Sequence, residues 1–256
     1  MLSSINLKYF NGFNNFGDIL NSYVVEKFFK KKVINLGKIN KENKLNYIFN
    51  GSIIDWSDQN SNIWGAGAIS SNTIIKYPPK KIFAVRGVLT RELLLKQNIE
   101  CNEVYGDLSY LLPYIYNPSI KQIYKIGILP HYIDYNNELL LKFKDMDEVK
   151  IINVSSGVIN VINDICSCKK IISSSLHGLI ASDVYQIPNK WVNFSNRIIG
   201  GEFKFKDYYS STNINYAEKF NLTNNLNLTD LLNLNFNVAT NKSFNNFINN
   251  CPLSLN

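Results

Sequence analysis

The sequence predicts an α/β protein built as two Rossmann-like domains that face each other across a cleft. Three observations carry this. Short apolar segments alternate with segments whose apolar residues recur every three or four positions, the pattern of parallel strands joined by right-handed helical crossovers. The alternation comes in two blocks, separated by a polar stretch over 117–125 that contains Pro118. The apolar segments end on Gly, Asn, Ser and Asp, and the carboxyl ends of strands in an open parallel sheet face the ligand crevice. The expected division is an N-terminal domain over 1–117, a C-terminal domain over 118–200, and a crossover segment with a tail over 201–256.

In the first block, the strand Ile5–Tyr9 runs into the turn-rich loop Asn11-Gly12-Phe13-Asn14-Asn15-Phe16-Gly17-Asp18. A helix follows from about Asp18 to Lys31, with Leu20, Tyr23, Val24 and Phe28 on one face. Asp18 suits its N-cap, and the closing lysines suit its dipole. The next strand, Leu45–Phe49, ends on Asn50-Gly51-Ser52. Ile63 and Trp64 lead into Gly65-Ala66-Gly67, which lacks the third glycine of a dinucleotide fingerprint, so a nicotinamide site is rejected. Gly67 still marks a place where backbone passes close to something. The strand Lys81–Val85 ends on Arg86-Gly87, before a helix over Val88–Gln97. An arginine there can fork onto a carboxylate or phosphate; a surface ion pair is the plainer alternative. Tyr105-Gly106-Asp107, ahead of Leu111-Leu112-Pro113, reads as one more strand-end turn.

The second block opens with the buried strand Ile126–Leu129, followed by Pro130-His131-Tyr132-Ile133-Asp134. A helix around Glu138–Lys144, a strand over Val149–Val154 and an amphipathic helix through Val158, Val161, Ile162, Ile165 and Cys166 come next. The stretch Lys169–Asn193 then reads as strand, turn, helix, loop and strand. Ser173, Ser174 and Ser175 form its turn, any of them a candidate N-cap. Leu176–Tyr185 forms its helix, and its last strand runs over Trp191–Phe194. His177 sits at that helix start, beside free N–H groups that attract anions, and Gly178 next to it lets a ligand approach. A histidine in this position is more often a cap or packing residue; its small-residue setting favours a functional one. Beyond Gly200-Gly201, Phe203–Ser211 is either a crossover helix returning to the first block or a flap, and weak helical patterns recur over Thr229–Leu234 and Ser243–Ile248.

The formal net charge of +7 favours acidic partners, and phosphorylated small molecules or an anionic membrane surface fit better than nucleic acid, for which no module signature occurs. Cys101, Cys166, Cys168 and Cys251 form no zinc spacing, so no metal site is expected. Free thiols point to a reducing cytosol. No signal-peptide pattern or membrane-spanning apolar run is seen. The expected location is cytoplasmic, with the inner face of the membrane left open as a docking place.

The ordered turns Asn15-Phe16-Gly17-Asp18, Trp64-Gly65-Ala66-Gly67, Val85-Arg86-Gly87 with Thr90, Gly106-Asp107, Ile128-Leu129-Pro130-His131-Tyr132 with Asp134, Ser174-Ser175-Leu176-His177-Gly178 and Lys206-Asp207-Tyr208-Tyr209 together resemble the polysaccharide pyruvyl transferase family, in particular its bacterial exopolysaccharide and capsule branch. The resemblance covers about residues 10–211. It implies a GT-B-like pair of domains and transfer of a pyruvyl group from phosphoenolpyruvate to a saccharide of a capsule, exopolysaccharide or cell-wall polymer, often lipid-linked, forming a ketal across two hydroxyls. No cofactor is implied beyond phosphoenolpyruvate as donor substrate. Several family members carry Arg before the Leu-His pair, where this chain has Ser175. The donor contact made by that arginine must then come from elsewhere, with Arg86 and Arg197 as candidates, or be absent.

Ketal formation needs an acid for the donor's methylene carbon, clamps for its carboxylate and phosphate, and a base for the acceptor hydroxyls. The expected catalytic residues are His177 as the acid, Asp18 orienting or deprotonating the acceptor, and His131 as a second acid–base or phosphate contact. The expected substrate contacts are Arg86, Gly67, Ser174, Ser175, Gly178, Asn15, Arg197 and Lys206. Two other readings stand beside this one: a GT-B glycosyltransferase using a nucleotide sugar, and a non-catalytic saccharide-binding module of a polysaccharide assembly complex.

Overall fold

The computed structural model describes residues 2–214, 218–241 and 243–254. The first sheet contains β1 (Ser4–Leu7), β2 (Lys32–Asn35), β3 (Asn46–Ile48), β4 (Ser61–Trp64) and β5 (Lys81–Ala84). All are parallel, in the order β2-β1-β3-β4-β5. The β1–β2 crossover carries α1 (Phe16–Lys27), and α2 (Val88–Lys96) and α3 (Leu112–Ile115) follow β5. The second sheet contains β6 (Ile126–Leu129), β7 (Val149–Ile151), β8 (Ile171–Ser173), β9 (Asn189–Asn193) and β10 (Phe220–Asn221), with α4 (Val158–Cys166) and α5 (Leu176–Val184) between strands. It is also parallel, in the order β10-β9-β8-β6-β7. The chain continues through α6 (Phe203–Ser210), α7 (Leu228–Leu232) and α8 (Phe244–Asn249).

Counted from its own first strand, each sheet has the order second, first, third, fourth, fifth. The strand order therefore reverses beside β1 in one half and beside β6 in the other. Crossovers leave in opposite directions on the two sides of that strand, and the gap between them is where open α/β sheets bind ligands. The two gaps receive the loops after β1 and β3, and those after β6 and β8.

The halves share one apolar core. Phe16, Leu20 and Val24 of α1, Val161, Ile162 and Ile165 of α4, and Leu179 and Ile180 of α5 are all fully buried in a single cluster. Backbone contact reinforces it, Phe16 N donating to Val154 O at 2.8 Å.

Several elements differ from the sequence expectation. The first helix stops at Lys27, and Lys30 adopts a positive φ of 53° that releases the chain into β2. The edge strands β2 and β10 are short and partly exposed, so neither shows the buried apolar run by which a strand is read from sequence. Tyr105 pairs with Val85 in a parallel bridge, so Tyr105-Gly106-Asp107 does follow a strand-like segment, but Asp107 then caps a 3-10 turn over Leu108–Leu111 that leads directly into α3. Glu138–Phe143 is likewise 3-10. Phe203–Ser210 is a crossover helix, packed on α2 of the first half. β10 then joins the second sheet, although it lies in the segment set aside as crossover and tail.

Candidate active site

The loops at the two gaps line a cleft of about 450 Å³. Asn15 and Asp18 come from the loop and first turn after β1, and Gly51, Ser52 and Trp56 from the segment after β3. His131 and Tyr132 follow β6, and Ser175 and His177 follow β8. Lys204 enters from α6.

His177 is held from the first half of the molecule. Its Nε2 lies 2.8 Å from Asn50 Oδ1 and 3.7 Å from Asp107 Oδ2. Asn50 is fully buried, donates through Nδ2 to Gly17 O at 3.0 Å, and accepts from Gly51 N on Oδ1. Its amide is thereby oriented, so Oδ1 faces the imidazole and the ring's Nε2 carries a proton. Asp107 Oδ1 accepts from Ser109 N and Oγ, whereas Oδ2 is buried with no hydrogen-bond partner among the described residues. Burial pushes the Asp107 carboxyl up. The His177 ring and the two Ser109 donors more than offset this and hold the group below its ordinary range. A carboxylate so placed complements the charge of a doubly protonated imidazole. The other face of the ring meets Gly17, where an added Cβ would lie 2.1 Å from His177 Nδ1. Glycine stands in the Asn15-Phe16-Gly17-Asp18 turn because the imidazole occupies the space of a side chain.

Asp18 is half-buried and accepts from Asn15 Nδ2 at 2.7 Å. Burial raises its carboxyl above the ordinary range, against the opposing pull of Asn15, His177 and Lys204. His131 N donates to Ser174 Oγ, and its Nδ1 accepts from Ile133 N at 3.3 Å. Burial, with the Lys204 charge nearby, lowers the His131 imidazole to about 3. It is therefore neutral near pH 7, with its proton on Nε2.

The structure brings His177, Asp18, His131, Asn15 and Ser175 to the cleft. The other expected contacts do different work. Arg86 is only 2% exposed and does not line the cleft; Nε donates to Asp207 Oδ2, one η nitrogen to Ser52 Oγ and the other to Ala68 O. Its fork is spent on the protein, so the expected direct clamp on the donor is corrected to a structural ion pair behind Ser52. Gly67 serves that arginine, because an added Cβ would come 2.4 Å from the Arg86 guanidinium carbon. Gly178 serves packing, with Leu129 and Ser173 each 2.6 Å from its would-be Cβ. Ser174 is fully buried and holds the His131 backbone. Ser175 is the N-cap of α5 by backbone geometry, with no side-chain cap bond. Arg197 is 58% exposed and binds Asp134 Oδ1 and Ile133 O. Lys206 pairs with Glu202 at 2.7 Å on the exposed face of α6. Neither lines the cleft.

Sequence reasoning missed Asn50, Asp107 and Lys204 as site residues. Asn50 was hidden by the abundance of Asn, and Asp107 by its distance along the chain from His177. Lys204 stands two positions before Lys206, about 200° around the helix, and only packing decides which lysine faces inward.

Among the described residues no group of three or more His, Cys, Asp or Glu is placed to hold a metal ion, and no helix is long and apolar enough to cross a membrane.

Fold and cleft together define an α/β protein with a cleft between two parallel-sheet halves and an imidazole gripped across the join. A family model described as polysaccharide pyruvyl transferase matches residues 15–196. The chain belongs to the polysaccharide pyruvyl transferase family, and membership indicates a pyruvyl transferase with a saccharide acceptor in polysaccharide biosynthesis. It is also similar to an uncharacterized protein of Acanthamoeba polyphaga mimivirus, 32% identical over 240 residues, covering 90% of this chain and 83% of the relative. No solved structure matches the chain.

Proposed function

We propose that the chain transfers the pyruvyl skeleton of phosphoenolpyruvate to two hydroxyls of one saccharide, releasing phosphate and leaving a ketal. The observation that carries this reading is the mounting of His177. Its Nε2 is held by Asn50 beside Asp107, while Nδ1 has no hydrogen-bond partner among the described residues and the ring lines the cleft. A histidine anchored on one nitrogen and open on the other is equipped for general acid–base work.

Doubly protonated His177 gives its Nδ1 proton to the methylene carbon of the donor. The C=C electron pair forms the new C–H bond, and positive charge develops at the adjacent carbon. An acceptor hydroxyl adds there and loses its proton to Asp18, whose raised affinity for protons suits a base. The bond from that carbon to the phosphate oxygen then breaks, its electron pair leaving with phosphate, which takes up the proton held by Asp18. The second hydroxyl closes the ring and returns a proton to His177. Neutral His131 supplies an Nε2–H donor for a donor oxygen. Phe10, Trp56 and Tyr132 line the same cleft and offer flat surfaces to a sugar ring. In this reading the second half is the donor side and the first the acceptor side, in a GT-B-like arrangement. The acceptor is a unit of an exopolysaccharide, capsule or cell-wall polymer, lipid-linked at the cytoplasmic face of a membrane.

The test is incubation with labelled phosphoenolpyruvate and a panel of free and lipid-linked saccharides. Acid-labile label on the saccharide with matching phosphate release is the expected result. His177→Gln should retain the fold and lose about 10²-fold or more of turnover. Release of nucleotide from a nucleotide sugar, with phosphoenolpyruvate inert, would sink the reading.

A further inference from the structure

Two buried lysines in this chain contrast. Lys8, 1% exposed, gives its ammonium to Asp58 at 2.6 Å and to Trp56 O at 2.8 Å. Lys204, 8% exposed, makes no hydrogen bond or ion pair with any described residue; its ammonium stands 5.5 Å from the Phe205 ring. A buried charge without a partner is expensive, and local repulsion adds to it. Arg86 lies close enough behind to oppose the charge on Lys204, while only Asp18 favours it. Arg86 cannot relieve the site by turning, because its three nitrogens are engaged with Asp207, Ser52 and Ala68.

We propose that Lys204 anchors the donor, its ammonium taking an oxyanion of phosphoenolpyruvate inside the cleft. The inference rests on the reading of phosphoenolpyruvate as donor. Lys204 lines the same cleft as His131 and His177, so one small molecule can meet all three. It arrives on α6, which is fastened to the first half by the Arg86–Asp207 pair, so the anchor is set by the fold rather than by a loose loop. The same surroundings lower the lysine to about 8. Donor affinity should therefore fall as pH rises through that value. Asp18, His131 and His177 face Lys204 across the cleft and Arg86 stands behind it. An arginine substitution, charged throughout, separates its titration from theirs.

The experiment measures phosphoenolpyruvate binding to the full chain by calorimetry, without acceptor, for the wild type, Lys204→Met and Lys204→Arg. Lys204→Met should weaken binding about 10- to 100-fold, the loss of one charge-assisted hydrogen bond. It should melt no lower than the wild type, since a strained charge has been removed, and this separates an anchor from a structural residue. Lys204→Arg should keep most of the affinity and lose the decline above pH 8. Equal binding by wild type and Lys204→Met overturns the role of Lys204 and leaves the donor reading intact. No binding by the wild type overturns the donor reading and the inference with it.

Discussion

In the proposed reaction His177 acts through a single nitrogen, because Asn50 and Asp107 occupy the surroundings of the other. Gly17 then sets the ring's position from the opposite side. Gly17→Ala would force the imidazole to move, since a methyl group cannot share space with Nδ1 at 2.1 Å. A displacement of about an ångström in a reacting group lowers turnover by roughly 10²-fold. The expected result is that loss in kcat with little change in phosphoenolpyruvate affinity, read by steady-state kinetics beside calorimetry. Unchanged kcat would remove His177 from the chemistry. Lys204 is the converse case, a residue that weakens the fold. Its depressed value of about 8, against an ordinary 10.5, corresponds to an adverse contribution of roughly 3 kcal/mol. The sign follows from proton counts. Between pH 8 and 10.5 the unfolded chain binds this proton and the folded chain does not, so Lys204 contributes a rise of stability with pH, against the fall contributed by Cys101, Cys166, Cys168 and Cys251, whose thiols burial pushes up. Lys204→Met should remove that contribution and make the net change between pH 7.5 and 10.5 more negative than in the wild type, which denaturation at the two pH values would register.

At the scale of elements, α6 brings Lys204 to the cleft. Asp207 on α6 accepts from Arg86 Nε and Thr90 Oγ1 on one oxygen and from Thr90 N on the other. A Cβ on Gly87 would come 1.7 Å from Asp207 O, so only glycine admits the helix this closely. Arg86 is 2% exposed and Asp207 fully buried, and removing either leaves the other charged without its partner. Arg86→Ala or Asp207→Ala should cost about 3–5 kcal/mol in urea denaturation. A loss below about 1 kcal/mol would contradict the structural role given to this pair. Either substitution should also weaken donor binding indirectly, by loosening the helix that carries Lys204.

Across the whole molecule, the core shared by α1, α4 and α5 makes the two sheets one cooperative body. The C-terminal segment adds to it. Phe247 stacks on Trp64 at 4.2 Å, and Trp64 Nε1 donates to Phe247 O. Asp183 of α5 accepts from Asn189, from the Tyr208 hydroxyl of α6 and from Ala239 N. Trp64 lies in the first sheet and Trp191 in the second. Single-tryptophan variants retaining one or the other should therefore report coincident unfolding transitions. Phe247→Ala should lower both midpoints together, by about 3–5 kcal/mol of stability. Separate transitions would show that each half folds alone.

The local grammar of the chain was enough for its class. Alternating apolar runs and helical spacing locate β1, β6, β8, α2, α4 and α5, because burial on both faces of a parallel sheet demands such runs. The ordered turns carry the family resemblance and bring His177, Asp18 and His131 forward. The edge strands β2 and β10 escaped because they bury too little to leave a pattern. The partners of His177 escaped because Asn50 and Asp107 reach it from 127 and 70 positions away in the chain. Arg86, which the sequence offers as the donor clamp, is bound to Asp207, and Lys204, which it does not single out, faces the cleft. Whether a charge meets protein or ligand depends on which groups the fold lays against it, and that is settled only when α6 docks between the halves.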